Sequence, residues 1–174
     1  MTRALAFVLS VCIAFTTAAK ESTQSTSTGH DVLSRHVGNW DVRFDRNDPF
    51  SVGTITGQWA LGGAYLEQTG EFVARLVPNN VTIKTLTKYD EGENKFKRWT
   101  FLSNGRELVS LGTWEPDTNT MTWVSEKYEP LSKRTIVATS TEEFRADGTV
   151  MVSTISKDAD REVGRSSQLR TPRK

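Results

Sequence analysis

Apolar and polar residues alternate along the stretch that follows Gly38. Trp40, Val42 and Phe44 fall on one face of an extended chain, and charged residues fall on the other. Because side chains repeat every two residues along a β-strand, this pattern predicts a strand with one buried face and one wet face. Gly38 lets the chain turn tightly into the strand, and Trp40 is large enough to close one end of a barrel.

The same period of two recurs along nearly all of the chain beyond Gly38. Turn sequences such as Asn104-Gly105 and Asp147-Gly148 separate the periodic segments and suit tight hairpins. Gaps of seven residues or fewer leave no room for crossover helices. We therefore predict an all-β fold, an up-and-down antiparallel meander of about ten strands that closes into a barrel. The predicted strands are Asn39–Arg46, Val52–Ala60, Ala64–Val73, Val81–Tyr89, Lys95–Leu102, Glu107–Trp114, Thr120–Lys127, Arg134–Phe144, Thr149–Lys157 and Glu162–Arg170.

The first residues have the pattern of an export signal. Arg3 supplies a positive start, and the run Ala4–Phe15 contains one polar residue, Ser10. Small residues then precede a cleavage point after Ala19, which predicts a signal peptide over residues 1–19 and a periplasmic or secreted protein. An uncleaved membrane tether is the alternative, although the apolar run is short for a bilayer span.

The residues after the leader predict a polar spacer and then a short helix. Residues 20–30 form the spacer, whose stretch Lys20–Gly29 has no apolar residue and is expected to be flexible. Asp31 can cap a short helix that reaches toward Val37 and plugs one end of the barrel. The barrel domain is expected to span residues 31–174.

Composition excludes several classes of function. The single cysteine, Cys12, lies in the predicted leader, so the mature chain has no thiol for disulfides, zinc–cysteine sites or nucleophilic catalysis. The whole chain has 22 basic and 21 acidic residues, and removal of Arg3 with the leader makes the counts equal. A neutral protein has no bulk attraction to nucleic acid or to an anionic membrane. We expect no nucleic-acid partner, and no stable membrane insertion once the leader is removed.

Several motifs, in their order along the chain, resemble a known group. The segment Leu33-x-x-x-Val37-Gly38-x-Trp40 resembles the opening of calycins, which include lipocalins and fatty-acid-binding proteins. The later segments Leu61-Gly62-Gly63-Ala64-Tyr65-Leu66, Tyr89-Asp90 and Gly112-Thr113-Trp114 are similar to a bacterial domain family of unknown function with a calycin-like barrel. The similarity runs from about Asp31 to the C-terminus. It implies a binding cavity inside a calycin-like barrel, and it supplies no catalytic residues.

The resemblance also implies a structural contact between the first and last strands. Calycin barrels often place an arginine from the last strand against the first-strand tryptophan, here Trp40. Arg165 and Arg170 are the candidates. They lie an odd number of residues apart, so a regular strand would turn only one of them inward.

Histidines and motifs give little support to catalysis. His30 and His36 are the only histidines, neither lies on a predicted strand, and we expect both at the surface. The sequence has no phosphate-binding glycine loop, nucleophile elbow or metal-spaced acid cluster. We expect no cofactor, no metal and no enzymatic activity. An enzyme that uses acids inside the barrel is the least favoured alternative.

Aromatic residues on the strands are the candidates for a ligand site. Core filling explains each of them singly, but many strand positions are Thr or Ser, and some of these must point inward. An interior of aromatics and hydroxyls suits an amphipathic small molecule. The candidate lining residues are Trp59, Tyr65, Trp99, Trp114 and Trp123. Glu67 and Arg98 would serve as polar anchors if they face inward, although the cost of an unpaired buried charge favours the exterior for both.

These observations favour an exported, non-enzymatic barrel that holds a small, mostly apolar ligand. The alternative is an interaction or structural module of the cell envelope with a filled barrel and no ligand. The sequence does not name a protein partner for either function.

Overall fold

A computed structural model of the protein describes residues 29–45, 50–75, 80–129 and 133–174. The predicted signal peptide (residues 1–19) and residues 20–28 of the predicted spacer lie outside the described residues. In the part of the chain that is described, no helix is both long enough and apolar enough to cross a lipid bilayer.

Ten antiparallel strands form a closed barrel. Each strand pairs with its neighbours in sequence, and β1 pairs with β10 to close the sheet. The strands are β1 (Gly38–Phe44), β2 (Phe50–Ala60), β3 (Tyr65–Ala74), β4 (Val81–Asp90), β5 (Lys95–Leu102), β6 (Glu107–Glu115), β7 (Thr120–Glu129), β8 (Arg134–Phe144), β9 (Val150–Asp158) and β10 (Arg161–Pro172). The predicted all-β meander barrel of ten strands is therefore confirmed, and closure leaves the sheet without an exposed edge.

A short helix precedes the first strand, as predicted. This helix, α1 (Gly29–Ser34), begins two residues before Asp31 and ends before Val37, so Asp31 lies in its first turn and the prediction that Asp31 caps it is wrong. Its residues Val32 and Leu33 are only 1% and 2% exposed and pack into the near end of the barrel. We call the apolar core at this end the helix-end cluster; its buried members are Val32, Leu33, Leu66, Phe96, Met121 and Trp123. The helix thus closes one end of the barrel, and the barrel shields Val32 and Leu33 from water.

A second apolar core lies further along the barrel and is built around Trp40. Trp40 is 9% exposed, and its indole Nε1 donates a hydrogen bond of 3.2 Å to the backbone oxygen of His36. We call this core the Trp40 cluster; its buried members are Trp40, Val42, Ile55, Phe72, Val150 and Val152. Phe144 packs against both clusters.

Polar side chains occupy the interior between the two apolar clusters. Along β3, Leu66 belongs to the helix-end cluster and Phe72 to the Trp40 cluster. Gln68 lies on the same face of the strand between them and is only 5% exposed. A barrel that only filled its core would carry an apolar residue there, since a buried polar group is costly without a partner. The middle of the barrel is therefore the place to look for a functional site.

Candidate functional site

Four ionisable side chains meet in the middle of the barrel. We call them the interior charge cluster: His36, Arg98, Glu142 and Arg170. Glu142, His36 and Arg170 are 1%, 2% and 8% exposed, and the side chain of Arg98 is 14% exposed. Strand alternation places Arg98 on the inward face of β5 together with buried Phe96, whereas His36 comes from the connection between α1 and β1.

Glu142 is the centre of the cluster. Both terminal nitrogens of Arg98 donate hydrogen bonds to its Oε1, Nη1 at 3.1 Å and Nη2 at 3.0 Å. Nη2 of Arg170 lies 3.7 Å from the same oxygen, which is beyond hydrogen-bond distance. On the other side of the carboxylate, Nε2 of His36 lies 3.5 Å from Oε2. Arg98 is also stacked on Trp123, with its Cζ atom 3.6 Å from the ring centroid, a geometry that favours a cation–π attraction.

Burial and charge together set the protonation states of the cluster. Burial lowers the pKa of His36 to about 4, even though the nearby Glu142 carboxylate acts in the opposite direction. Burial alone would raise the pKa of Glu142, but the guanidinium groups of Arg98 and Arg170 lower it to about 2. At neutral pH the cluster thus holds two cations, one carboxylate and a neutral imidazole.

These pKa shifts predict an acid-sensitive fold. The unfolded chain protonates His36 near pH 6.5, whereas the folded protein protonates it only near pH 4, so stability present above pH 6.5 is lost between these values. Glu142 adds a further loss between about pH 4.5 and 2, because its folded pKa is also lowered. Between its unfolded and folded pKa values, each group lowers the free energy of unfolding by up to about 1.4 kcal/mol for each unit that the pH falls.

Denaturant unfolding at pH 7, 5.5 and 4.5 measures this effect. The variant His36→Gln is expected to flatten the decline between pH 6.5 and 4.5, and His30→Gln, which changes the exposed histidine, serves as its control. An unaltered pH dependence in His36→Gln would show that His36 titrates alike in the folded and unfolded states.

A cavity of about 160 Å³ opens beside the two arginines. Its lining comes from the inward faces of five strands, β2 to β5 and β10: Ile55, Gln68, Ile83, Thr85, Arg98, Thr100 and Arg170. Isoleucines supply its apolar wall, and the guanidinium, amide and hydroxyl groups supply its polar wall. This volume is smaller than the roughly 300–1,000 Å³ of pockets for drug-sized ligands. It is about the volume that five water molecules occupy in liquid water.

Several buried polar atoms around this cavity have no hydrogen-bond partner among the described residues. They include Nε of both Arg98 and Arg170 and the hydroxyl of Thr85, and all three residues line the cavity. Thr87 on β4 and Gln168 on β10 also keep an unpartnered buried oxygen. Buried polar groups in folded proteins nearly always have a partner, so a group of exceptions at one place marks a site for water or a ligand.

The inward face beyond the cluster carries a row of small hydroxyl side chains on β6 to β10. We call them the hydroxyl row: Ser110, Ser125, Ser140, Thr154 and Ser166. The register places Ser110 opposite both Arg98 and Ser125. Ser140 and Thr154 share a hydrogen bond of 2.7 Å. All five residues are half-buried, so this side of the interior is both polar and reachable from solvent.

The five aromatic candidates do not surround one cavity. Trp123 is 2% exposed within the helix-end cluster and lies under Arg98. Trp59 and Trp114 pack at the edge of that cluster, beside the helix. Tyr65 and Trp99 lie on the outer face of the sheet, with their ring centroids 6.3 Å apart. The 160 Å³ cavity is lined by none of the five, because aliphatic, hydroxyl, amide and guanidinium groups occupy the inward positions beside it.

The two candidate anchors face opposite ways. Glu67 lies on the outer face, where Lys84 pairs with it at 2.8 Å. Arg98 points inward, so the expectation that it faces outward is wrong. The physical reason is Glu142, whose buried carboxylate supplies the partner that makes an inward guanidinium tolerable.

The last strand turns one of its two candidate arginines inward. Arg170 is buried, whereas Arg165 is exposed and bonds to Glu162. The contact that the resemblance implies, between an arginine of the last strand and Trp40, is not among the cation–π contacts of the described residues. In the described ranges, the cation–π contacts involve the rings of Trp99, Trp114, Trp123 and Phe144, and the guanidinium of Arg170 faces Glu142 instead.

The two histidines also differ. His30 is exposed and stacks on Trp59, with ring centroids 3.9 Å apart. The expectation that His36 lies at the surface is wrong, since it is 2% exposed and sits edge-on to Phe144. Among the described residues, no group of three or more His, Cys, Asp or Glu side chains is arranged to hold a metal ion.

The protein is therefore a closed ten-strand antiparallel barrel with a buried charge cluster and a small interior cavity. The chain belongs to the DUF1579 family of proteins of unknown function, whose family model matches residues 25–164. The motif resemblance to a family of unknown function with a barrel fold is thereby confirmed. A search of curated proteins found no match.

Proposed function

We propose that the protein binds a small molecule inside its barrel and that it is an exported binding protein rather than an enzyme. The observation that carries the proposal is the 160 Å³ cavity lined by Arg98 and Arg170, each of which has a buried Nε donor without a hydrogen-bond partner. A ligand with an apolar part against the isoleucines and a polar end at the arginines would satisfy both walls. The leader-like pattern before Ala19 supports export.

The arrangement of the histidine and the carboxylate supports binding over catalysis. His36 and Glu142 are the interior groups best suited to move protons, yet neither lines the cavity. Arg98 stands at the cavity wall with both terminal nitrogens bonded to Glu142. A general base must reach the proton that it removes within hydrogen-bond distance. The carboxylate of Glu142 does not reach the cavity as a base would have to, and it instead accepts the hydrogen bonds that position the guanidinium of Arg98.

Native mass spectrometry of the protein purified from its own host tests this proposal. We expect added mass that is retained under gentle conditions and released on unfolding. The variant Thr100→Phe fills the cavity and should abolish the added mass, whereas Thr69→Phe places the same ring on the exposed face of β3 and should keep it. Equal ligand retention in both variants, or no ligand on the parent protein together with no response to added small molecules, would overturn the proposal.

A second candidate function, an interaction module, has one observation in its favour. Exposed apolar side chains lie on the outer face of β6 and β7: Val109, Leu111 and Val124, at 47%, 44% and 40% exposure. Leu111 and Val124 are direct cross-strand neighbours, and Val109 pairs with Trp99 of β5. Such patches can mark a protein contact. This candidate moves ahead if the parent protein carries no ligand and Thr100→Phe changes no property except stability.

A further inference from the structure

The interior charge cluster has an unbalanced charge. The guanidinium groups of Arg98 and Arg170 face one carboxylate, that of Glu142, so one positive charge remains in the middle of the barrel. The described residues that line the cavity contribute no acid to balance it. An uncompensated buried charge is costly, which makes an anion the natural complement of this site.

The unpartnered donors point to the same kind of ligand. Arg98 uses both terminal nitrogens on Glu142, and its Nε atom has no partner. Arg170 is too far from Glu142 for a hydrogen bond, and its Nε atom also has no partner. The hydroxyl of Thr85 adds a further unpartnered group to the cavity wall. A carboxylate accepts several hydrogen bonds at once, and bonds from guanidinium to carboxylate are among the strongest in proteins.

The shape and lining of the cavity limit the rest of the ligand. Ile55 and Ile83 offer apolar contact for only a few carbon atoms in about 160 Å³. A long acyl chain would have to displace the Trp40 cluster, to which Ile55 belongs and against which Ile83 packs. The hydroxyl row continues the polar interior beside the arginines, since its half-buried Ser110 lies opposite Arg98.

We propose that the cavity binds a monoanionic short-chain carboxylate, with its charged end held by Arg98 and Arg170 and its aliphatic end against Ile55 and Ile83. This inference rests on the proposed function, since it names the class of ligand for the same site. A single negative charge balances the cluster, whereas a dianion such as hydrogen phosphate (HPO4²⁻) would leave a buried negative charge in its place.

Calorimetric titration at pH 8 with sodium butyrate, butanamide, sodium dodecanoate and inorganic phosphate, which is mainly a dianion at that pH, tests the ligand class. Butanamide has nearly the same shape as butyrate but no charge. We expect butyrate to bind with a Kd at least about tenfold lower than that of butanamide, since a hydrogen bond to a charged group contributes more than one to a neutral group. Dodecanoate and phosphate should bind more weakly than butyrate. Butyrate should also change the emission of Trp123, which is stacked on Arg98.

Two variants on the same strand separate the site from general electrostatics. Arg170→Gln should raise the Kd for butyrate about tenfold or more, while Arg165→Gln removes an exposed charge and should leave it unchanged. Circular dichroism reports whether Arg170→Gln is folded. If it is not, Thr85→Val removes a donor from the same wall without a charge change, and it should weaken butyrate more than butanamide.

The outcomes distinguish this inference from the proposed function. Binding of butanamide as tight as that of butyrate overturns the carboxylate assignment and leaves an interior site for a neutral ligand. Equal weakening by Arg165→Gln and Arg170→Gln also overturns the assignment, because binding would then depend on overall charge and not on the interior arginine. Tighter binding of phosphate or dodecanoate overturns it in the same way. If none of the four compounds binds and the host protein carries no added mass, the proposed function itself fails.

Discussion

Replacing Glu142 with glutamine is expected to lower the free energy of unfolding by about 3–5 kcal/mol, the usual cost of removing one partner from a buried ion pair. Glu142 is 1% exposed and is the carboxylate partner of both Arg98 and Arg170. The amide keeps the shape and one oxygen acceptor, but it leaves two guanidinium cations without a counter-charge. Urea unfolding at pH 7, followed by tryptophan fluorescence, measures the change.

The neighbouring residue supplies a matched control for this prediction. Glu143 lies on the outer face of the same strand, with its side chain 52% exposed, and pairs there with Arg145. Glu143→Gln should change stability by no more than about 0.5 kcal/mol. A loss below about 1 kcal/mol in Glu142→Gln, or equal losses in the two variants, would show that the interior charge cluster is not held together as described.

Replacing Trp40 with alanine is expected to destabilise the barrel by about 3–5 kcal/mol, the range for truncation of a large buried aromatic. The indole belongs to the Trp40 cluster, and its Nε1 donates a hydrogen bond to the backbone oxygen of His36. Its loss would leave a void and loosen the segment that carries His36 into the barrel.

The control is Trp99→Ala, which truncates the same side chain on the outer face of β5. Trp99 contacts Tyr65 and Lys97 there, so we expect Trp99→Ala to lower the free energy of unfolding by about 1 kcal/mol. Both variants can be measured by urea unfolding followed by circular dichroism, which does not depend on the removed indole. A loss under about 1 kcal/mol in Trp40→Ala would mean that this ring contributes little to the core.

The strand order and bounds could be predicted because the period of two depends only on the local pattern. Lys95–Leu102 and Arg134–Phe144, for example, have the same limits in the sequence prediction and in the structure. Short turns then leave an antiparallel meander as the simplest topology. The closure of β1 on β10 follows from the need to avoid edges rather than from any residue.

The inward face of β5 could not be predicted from its alternation alone. One face carries Phe96, Arg98, Thr100 and Leu102, and the other carries Lys95, Lys97, Trp99 and Phe101. Each face has two large apolar side chains together with charged or polar ones, so the hydrophobic pattern does not choose between them. The choice depends on Glu142, which is far away in sequence and becomes the partner of Arg98 only when the barrel closes.

His36 and Glu142 were missed for a related reason. His36 follows the helix in a short connection, where no periodicity predicts burial. Glu142 and Glu143 are adjacent acids, and one of them must share the face of Phe144. That shared face was a usable signal for an inward carboxylate, whereas the approach of His36 to it required the three-dimensional structure.

A crystal of the protein soaked in 3-bromopropionate shows directly whether the barrel has an interior ligand site. The bromine atom gives an anomalous signal that locates a molecule small enough for a cavity of about 160 Å³. We predict a peak inside the barrel next to Ile55 and Ile83, with the carboxylate on Arg98 and Arg170, and no such peak in Thr100→Phe. Bromine peaks confined to the outer surface, with a solid interior in the parent protein, would show that the barrel has no interior ligand site.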